Sequence, residues 1–199
     1  MTPRERRLRE QAQRHRLILA TAREMAEAEG WDNVTTRRLA DRIEYSQPVL
    51  YQHFKNKDAI IHAVAQEGLA ELAAALRAAR LAAAGPQETL GAVARAYADS
   101  AARGPALYQA MLVLDAGAAG PEDGTGQGSQ PFLDVLAEIE EVVRPVAGNR
   151  DPRVLAEVVW SAWHGLATLT GGGRHGREAT PERLAVLAEA LTDPAAQLA

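Results

Sequence analysis

The chain has 199 residues, enough for one large domain or two small ones, and it contains no cysteine, which excludes disulfide bonds, cysteine-ligated zinc and thiol catalysis. The net charge of −4 is unevenly spread: residues 1–60 carry 12 Lys and Arg against 9 Asp and Glu, and residues 61–199 carry 10 against 17. The N-terminal part is therefore positive and the remainder negative, so only the N-terminal part has the charge that favours a nucleic-acid partner.

No membrane span or export signal is predicted. The longest uncharged run, residues 158–173, contains Ser, His, Thr and four Gly, and it is too short and too polar to cross a membrane. Residues 1–13 are dominated by Arg and Glu and lack the apolar core of a signal peptide. We therefore expect a cytoplasmic protein.

Residues 1–13 are charged and show no helical periodicity. Two interpretations stay open for their structure, a disordered arm or an extension of the first helix. Their function is open as well, because the segment could be a solubilising tail or could lie along DNA phosphates or enter a minor groove. The arginines concerned are Arg4, Arg6, Arg7 and Arg9.

A first helix is predicted from Arg14 to Glu29, with Gly30 as a natural stop. Trp31 and Val34 follow in the turn, and we expect both to fill the core of a small N-terminal domain. The apolar positions at helical spacing are Ile18, Ala22, Met25 and Ala26.

Two short helices separated by a three-residue break come next. Thr35-Thr36 can cap the first of them, and Ser46 is the expected N-cap of the second. Pro48 lies in the first turn of the second helix, where a missing N–H costs little. The apolar face of the first short helix comprises Leu39, Ala40 and Ile43.

The second short helix has an apolar inner side and a hydrogen-bonding outer side. Leu50 and Phe54 are four residues apart and face inward. Two short helices, a tight turn and an outer face that donates and accepts hydrogen bonds describe a helix-turn-helix that reads DNA. The outward side chains are Gln47, Val49, Tyr51, Gln52 and His53, followed by Lys55 and Lys57.

The run from about His15 to Leu69 resembles the N-terminal domain of TetR-family transcriptional regulators. The resemblance rests on Thr-Thr-Arg-Arg-Leu-Ala at 35–40 and Ser-Gln-Pro-Val-Leu-Tyr-Gln-His-Phe-Lys-Asn-Lys-Asp-Ala at 46–59. It implies an all-α homodimer without a cofactor. A three-helix, helix-turn-helix DNA-binding domain would occupy residues 1–57. An antiparallel helical bundle for ligand binding and dimerisation would occupy residues 58–199.

The predicted DNA contacts combine this resemblance with side-chain chemistry. Arg37 lies where the family often has a base-reading or phosphate-contacting arginine, and arginine can pair with two acceptors on guanine. Thr36 would place a hydroxyl and a helix N-terminus near a phosphate. Gln47 can offer a donor and an acceptor to a base edge, and Val49 can pack against a thymine methyl.

The other predicted contacts come from the second helix and the residue that follows it. The resemblance implies phosphate contacts for Tyr51, His53 and Lys57. Pro48 would shape the DNA-facing surface, and Gln52 faces outward beside it. For every one of these residues the alternative is an ordinary solvated helix face.

Glu44 departs from the family pattern. The family usually has glycine in this turn, because the backbone there is left-handed. If that dihedral angle is kept, a glutamate costs about 1 kcal/mol. The substitution also puts a negative charge near the DNA.

The remainder of the chain is predicted to form a helical body. A long helix capped by Asp58 should run to about Ala84 and stop at Gly85-Pro86, and it is the candidate lever for ligand control. Residues 116–130 are rich in Gly and could form a loop that gates a pocket. Further helices are expected at 86–115 (one or two, split at Arg103-Gly104-Pro105), at 131–146, at 152–170 and after Thr180-Pro181.

An apolar ligand cavity is expected inside this body. The triplet Trp163-His164-Gly165 resembles a signature in the C-terminal domain of one TetR subgroup, in which the last two helices usually form the dimer interface. The alternative is that Trp160 and Trp163 are core residues and His164 is a partly buried histidine. The predicted ligand contacts are Tyr97, Tyr108, Met111, Trp163 and His164.

Nothing in the sequence indicates catalysis or metal binding. The five histidines are scattered, no His-Glu-x-x-His pattern exists, and no glycine loop is placed to cradle a phosphate. The predicted function is a sequence-specific regulator, most simply a repressor that a small apolar ligand releases from a palindromic operator in double-stranded DNA. Two alternatives stay open: a helical ligand-binding or structural protein without operator binding, and an enzyme of the helical-bundle type.

Overall fold

A computed structural model describes residues 2–114 and 129–192 of the protein, with the side chains of 113, 114 and 192 left out. All regular structure in these residues is helical, which confirms the predicted all-α class. The helices are α1 (Pro3–Glu29), α2 (Thr36–Arg42), α3 (Gln47–Tyr51), α4 (Lys57–Ala82), α5 (Pro86–Arg103), α6 (Pro105–Gln109), α7 (Gln130–Val143), α8 (Pro152–Gly171) and α9 (Thr180–Thr192). A π-helical turn, Ala110–Leu114, continues α6, and 3-10 turns occupy Trp31–Asn33, Arg144–Val146 and Arg177–Ala179.

Contacts divide the described residues into two compact units. The head unit comprises residues 2–66 and 106–114, and the body unit comprises residues 67–105 and 129–192. The change of unit therefore falls within α4, and α6 belongs to the head unit from Ala106 onward. The functional boundary expected between residues 57 and 58 stays a prediction.

Helix α1 starts well before Arg14 because its N-terminus is capped. The Thr2 hydroxyl accepts the Glu5 N–H at 3.2 Å, and the Thr2 N–H donates to a Glu5 carboxylate oxygen at 2.8 Å, which makes a capping box. Of the two interpretations of the first 13 residues, the helical extension is confirmed. Gly30, with φ of 80°, ends the helix as predicted.

The core of the head unit is centred on Trp31. Its side chain is buried, and its indole N–H donates to the Ala106 carbonyl at 2.8 Å. The Glu27 carboxylate accepts the N–H groups of Ala106 at 3.1 Å and of Leu107 at 2.9 Å. The end of α1 thus satisfies backbone groups that open α6. Other buried residues of this core include Ile18, Leu19, Ala22, Met25, Val34, Leu39, Leu50, Phe54 and Ile60.

Helix α4 begins at Lys57, and its cap differs from the prediction. The Asn56 side-chain oxygen accepts the Ala59 N–H at 2.8 Å, so Asn56 caps the helix. Asp58 instead lies in the first turn, where its negative charge interacts favourably with the helix dipole.

Among the described residues, α4 is the one helix long and apolar enough to cross a membrane by length and composition alone. The core helix of a folded protein passes the same test. Along α4, Ile60, Val64, Leu69 and Leu76 are buried within the protein, so we interpret α4 as a core helix.

In the body unit, α5 packs against α7, α8 and α9. The predicted split is confirmed, since α5 ends at Arg103 and α6 begins at Pro105. Glu138 on α7 is buried, and its carboxylate pairs with Arg77 at 3.0 Å and Arg80 at 2.9 Å, both on α4. The gating loop expected at 116–130 lies, up to residue 128, outside the described residues.

Candidate nucleic-acid interface and body cavity

The turn between α2 and α3 keeps the left-handed geometry expected of a helix-turn-helix. The Tyr45 N–H bonds to the Ala40 carbonyl at 3.0 Å, and the Glu44 N–H bonds to the Asp41 carbonyl at 3.3 Å, which is a Schellman ending of α2. Glu44 has φ of 58°, the one positive φ of a non-glycine residue in the described chain. The dihedral angle is therefore kept, and the expected strain applies.

The two neighbouring arginines at the start of α2 have different environments. Arg38 makes a two-oxygen pair with Glu29, at 2.8 and 3.1 Å, and donates to the Asn33 carbonyl at 2.7 Å. Arg37 is exposed, and no hydrogen bond or ion pair ties it to another described residue. Arg37 is therefore the arginine available to a base or a phosphate, whereas Arg38 stabilises the head unit.

The outer ends of α2 and α3 meet through two hydroxyl groups. The Tyr51 and Thr36 hydroxyl oxygens lie 3.3 Å apart, although the Tyr51 side chain is half exposed. The two groups are thus presented together on the outer side of the motif. The remaining predicted contacts of α3 and its C-cap, Gln47, Pro48, Val49 and Gln52, are exposed or half-buried, while Leu50 is buried beneath them.

Lys57 has a structural contact that sequence reasoning missed. It is half-buried, and its ammonium group donates to the Trp31 carbonyl. An ammonium group has three donors, so two stay available to a phosphate. The neighbouring Lys55 is exposed.

His53 lies at the end of α3, next to α1. The His15 ring stacks on Phe54 with centroids 4.6 Å apart, and its centroid is 6.3 Å from that of His53. Burial lowers the pKa of His53, and charge repulsion from His15 and Arg14 lowers it further. The neutral imidazole is therefore favoured in the free protein near pH 7.

The body unit contains a cavity of about 380 Å³ between α5, α8 and α9. Tyr97 and Trp163 line it, with ring centroids 5.7 Å apart. The charged residues Arg95, Asp99 and Arg177 also line it. The small and aliphatic part of the lining includes Ala94, Ala98, Ala101, Ala102, Leu166 and Leu184.

The structure does not bring the five predicted ligand contacts together. His164 stacks on Trp160 at 5.8 Å and does not line the cavity, and its pKa is lowered by burial. Tyr108 and Met111 are buried residues of the head unit. The alanines of α5 were missed because their spacing looks the same in a packed core as beside a cavity.

Within the two described ranges, no group of three His, Asp or Glu side chains is placed to hold a metal ion. The arrangement instead offers hydrogen-bonding and cationic groups on the outer side of a helix-turn-helix, and an apolar cavity of ligand size in the body unit. These two features together are typical of a regulator that combines a helix-turn-helix with a cavity of ligand size.

Sequence comparison agrees with this class over both parts of the chain. The profile of bacterial regulatory proteins of the tetR family matches residues 18–64, and the profile of the tetracyclin repressor-like C-terminal domain matches residues 90–193. The protein belongs to the TetR family. Membership of the Trp-His-Gly subgroup stays a prediction.

Individual curated relatives match over a limited part of the chain. Tetracycline repressor protein class C of Escherichia coli is 47% identical over 49 residues, which make up 25% of this chain and 22% of that protein. The chain thus spans about a quarter of the length of the curated relatives it matches.

Solved structures match over nearly the whole chain. A protein of unknown function from Rhodococcus sp. RHA1 has a TM-score of 0.70 and 27% identity, over 89% of this chain and 93% of that one. A bacterial regulatory protein in the tetR family from Rhodococcus RHA1 has a TM-score of 0.67 and 19% identity, over 89% and 96%. At 19% identity, the second match shows a shared fold alone.

Proposed function

We propose that this protein is a cytoplasmic, sequence-specific DNA-binding regulator of transcription that acts as a repressor and as a homodimer. The operator is palindromic, and a small, largely apolar molecule in the body cavity releases the protein from it. The protein acts by binding and carries out no reaction. The observation that carries this proposal is the outer face of α2 and α3, where Arg37 is free while Arg38 is held by Glu29.

Arg37, Gln47 and Val49 contact the bases, and Pro48 and Gln52 complete the DNA-facing surface. Each has chemistry that suits a base edge: the guanidinium fork suits guanine, the amide suits adenine, and the methyl groups suit thymine. Phosphate contact falls to Thr36, Tyr51, His53 and Lys57. Phosphate contacts set the position of the motif on the duplex, and base contacts make it specific.

Dimerisation follows from the small size of the recognition element. Helix α3 has five residues, so a single head contacts few base pairs. Two heads held at one separation bind a palindrome far more tightly than either binds alone, because the second contact becomes intramolecular. The half-sites should lie about 34–36 Å apart, one turn of the duplex.

The cavity supports control by a small molecule. Its volume of about 380 Å³ falls within the range of roughly 300–1,000 Å³ that ligand sites occupy. Tyr97 and Trp163 supply flat apolar surface, while Arg95, Asp99 and Arg177 can orient a polar group. A ligand releases the operator only if it binds the released conformation more tightly than the DNA-bound one.

The experiment is selection of bound duplexes from random DNA, followed by fluorescence anisotropy on the selected operator. Arg37→Gln should weaken operator binding roughly 5- to 150-fold and relax the preference at one base pair, as expected when about 1–3 kcal/mol of base discrimination is lost. The matched control is Arg42→Gln, which removes the same charge from a different side of α2 and should change affinity less than about threefold. Selection of no duplex at low salt would reject the proposal in favour of a helical ligand-binding protein without operator binding.

A further inference from the structure

The first turns of α1 leave the head unit without packing against it. Residues 3–17 are exposed apart from the half-buried His15, and the buried positions of α1 begin at Ile18. The family profile also begins at residue 18. We call residues 3–17 the α1 extension. Because His15 is the one residue of this stretch that is not exposed, the stretch gains little stability from packing, and its charge is its main physical property.

The α1 extension carries the positive charge of the N-terminal part of the chain. Residues 3–16 contain six Arg and two Glu, whereas residues 17–60 contain six Lys and Arg against seven Asp and Glu. Residues 17–60 taken together are therefore slightly negative, and the α1 extension carries four net positive charges. Since DNA affinity comes largely from neutralised phosphates, the extension supplies a net positive charge that residues 17–60 as a whole lack.

The C-terminal end of the α1 extension lies beside the end of α3. His15 stacks on Phe54 and lies close to His53, one of the predicted phosphate contacts. Arg14 is near enough to affect the protonation of His53. Arg4 precedes His15 by three helical turns, so it lies on a similar side of the helix, about 16 Å further along.

The six arginines form two stripes. At 3.6 residues per turn and measured around the helix from His15, the first stripe lies about 20° to 100° to one side and the second about 100° to 180° to the other side. The first stripe as a whole is therefore nearer the side on which His15 contacts Phe54, although its Arg14 and the Arg16 of the second stripe are equally far from His15. The near stripe comprises Arg4, Arg7 and Arg14. The far stripe comprises Arg6, Arg9 and Arg16, and its Arg6 lies 3.9 Å from Glu10.

We propose that the near stripe, Arg4, Arg7 and Arg14, binds DNA phosphates that flank the half-site read by α3. This inference rests on the proposed operator binding. A guanidinium group can bond two phosphate oxygens at once, so each arginine makes one charge-assisted contact. Such contacts carry no sequence information, and they strengthen binding to operator and non-operator duplexes alike.

The test compares two triple variants that remove the same charge. Arg4→Gln/Arg7→Gln/Arg14→Gln removes the near stripe, and Arg6→Gln/Arg9→Gln/Arg16→Gln removes the far stripe. Affinities for the selected operator and for a scrambled duplex are measured between 50 and 300 mM KCl. Thermal unfolding of both variants serves as the folding control, and we expect unchanged midpoints because no buried residue is altered.

The slope of log affinity against log salt should become shallower by about 2 to 3 in the near-stripe variant, since each lost phosphate contact contributes roughly 0.9. The far-stripe variant should change the slope by less than about 1. The double variant Arg4→Gln/Arg7→Gln leaves Arg14 beside His53 intact, and should still lose about two contacts.

Equal slopes in the two triple variants would show a long-range charge effect and overturn the proposed contact. An unchanged near-stripe variant would overturn it as well, while leaving operator binding intact. If the wild-type protein selects no duplex, the proposed function fails, and this inference fails with it.

Discussion

Replacing Glu27 with alanine should destabilise the head unit, because Glu27 holds the start of α6. Its two carboxylate oxygens accept the N–H groups of Ala106 at 3.1 Å and Leu107 at 2.9 Å, and both of these residues are buried. An N–H left buried without a partner costs about 1–3 kcal/mol. Glu27 itself is exposed, so water can partly replace it, and we expect the free energy of unfolding to fall by about 2–3 kcal/mol in total.

For a chain of this size, such a loss lowers the thermal unfolding midpoint by about 5–10 °C. Circular dichroism at one fixed protein concentration measures the shift, because dissociation of a dimer would make the midpoint concentration-dependent. Glu27→Gln keeps one acceptor oxygen, so its unfolding midpoint should fall by about half as much as that of Glu27→Ala. Glu24→Ala, an exposed change one turn earlier on α1, should stay within about 0.5 kcal/mol. If Glu27→Ala and Glu24→Ala unfold at the same temperature, the two hydrogen bonds contribute nothing to stability, and the reasoning is refuted.

Glu44→Gly should raise the free energy of unfolding by about 0.5 kcal/mol, because relief of left-handed strain exceeds the added entropy of the unfolded chain; a less stable variant by urea titration would contradict this. The pKa of His53 is lowered in the folded state, so its contribution to stability is present above about pH 6.5 and is lost as pH falls through the lowered folded-state pKa. His53→Gln should therefore lose less free energy of unfolding than the wild type between about pH 7 and 5. If the free energy of unfolding of the two proteins falls in parallel with pH, this prediction is wrong. Glu138→Gln keeps the shape of the side chain but removes the negative charge that pairs with Arg80. Because Arg80 is partly exposed, we expect the free energy of unfolding to fall by about 1–2 kcal/mol, and this loss should shrink little in high salt. A loss no larger than that of the exposed Glu157→Gln would show that the buried pair adds no stability.

Local signals in the sequence were sufficient for most of the secondary structure. Gly30, Thr35 and Ser46 are all found at helix ends as predicted, because a cap needs only the residue itself and the next few backbone groups. The exception is the start of α4, where two polar residues, Asn56 and Asp58, are both suited to capping. In the structure Asn56 is the cap, because its side-chain oxygen accepts the Ala59 N–H. The residue types alone do not distinguish the two candidates.

The outer face of the helix-turn-helix was predicted in outline, but the contacts that its side chains make within the protein were not. Arg37 and Arg38 are identical in chemistry and adjacent in sequence, and only the position of Glu29 shows that one is held and the other is free. From the sequence Lys57 is a free phosphate contact, whereas in the structure its ammonium group also donates to the Trp31 carbonyl. Each assignment depends on a residue distant in sequence, and helical spacing carries no information about such residues.

The sequence by itself determined the helical class, the helix-turn-helix and the charge of the α1 extension, whereas the structure decided that the turn stays left-handed at Glu44. Tertiary structure alone decided that Tyr97 and Trp163 line a cavity while His164 stacks on Trp160 outside it. The physical reason is the range of the interactions. Caps, turns and charge depend on neighbours within about one helical turn, whereas a cavity depends on the relative rotation of helices such as α5, α8 and α9, which only their packing sets.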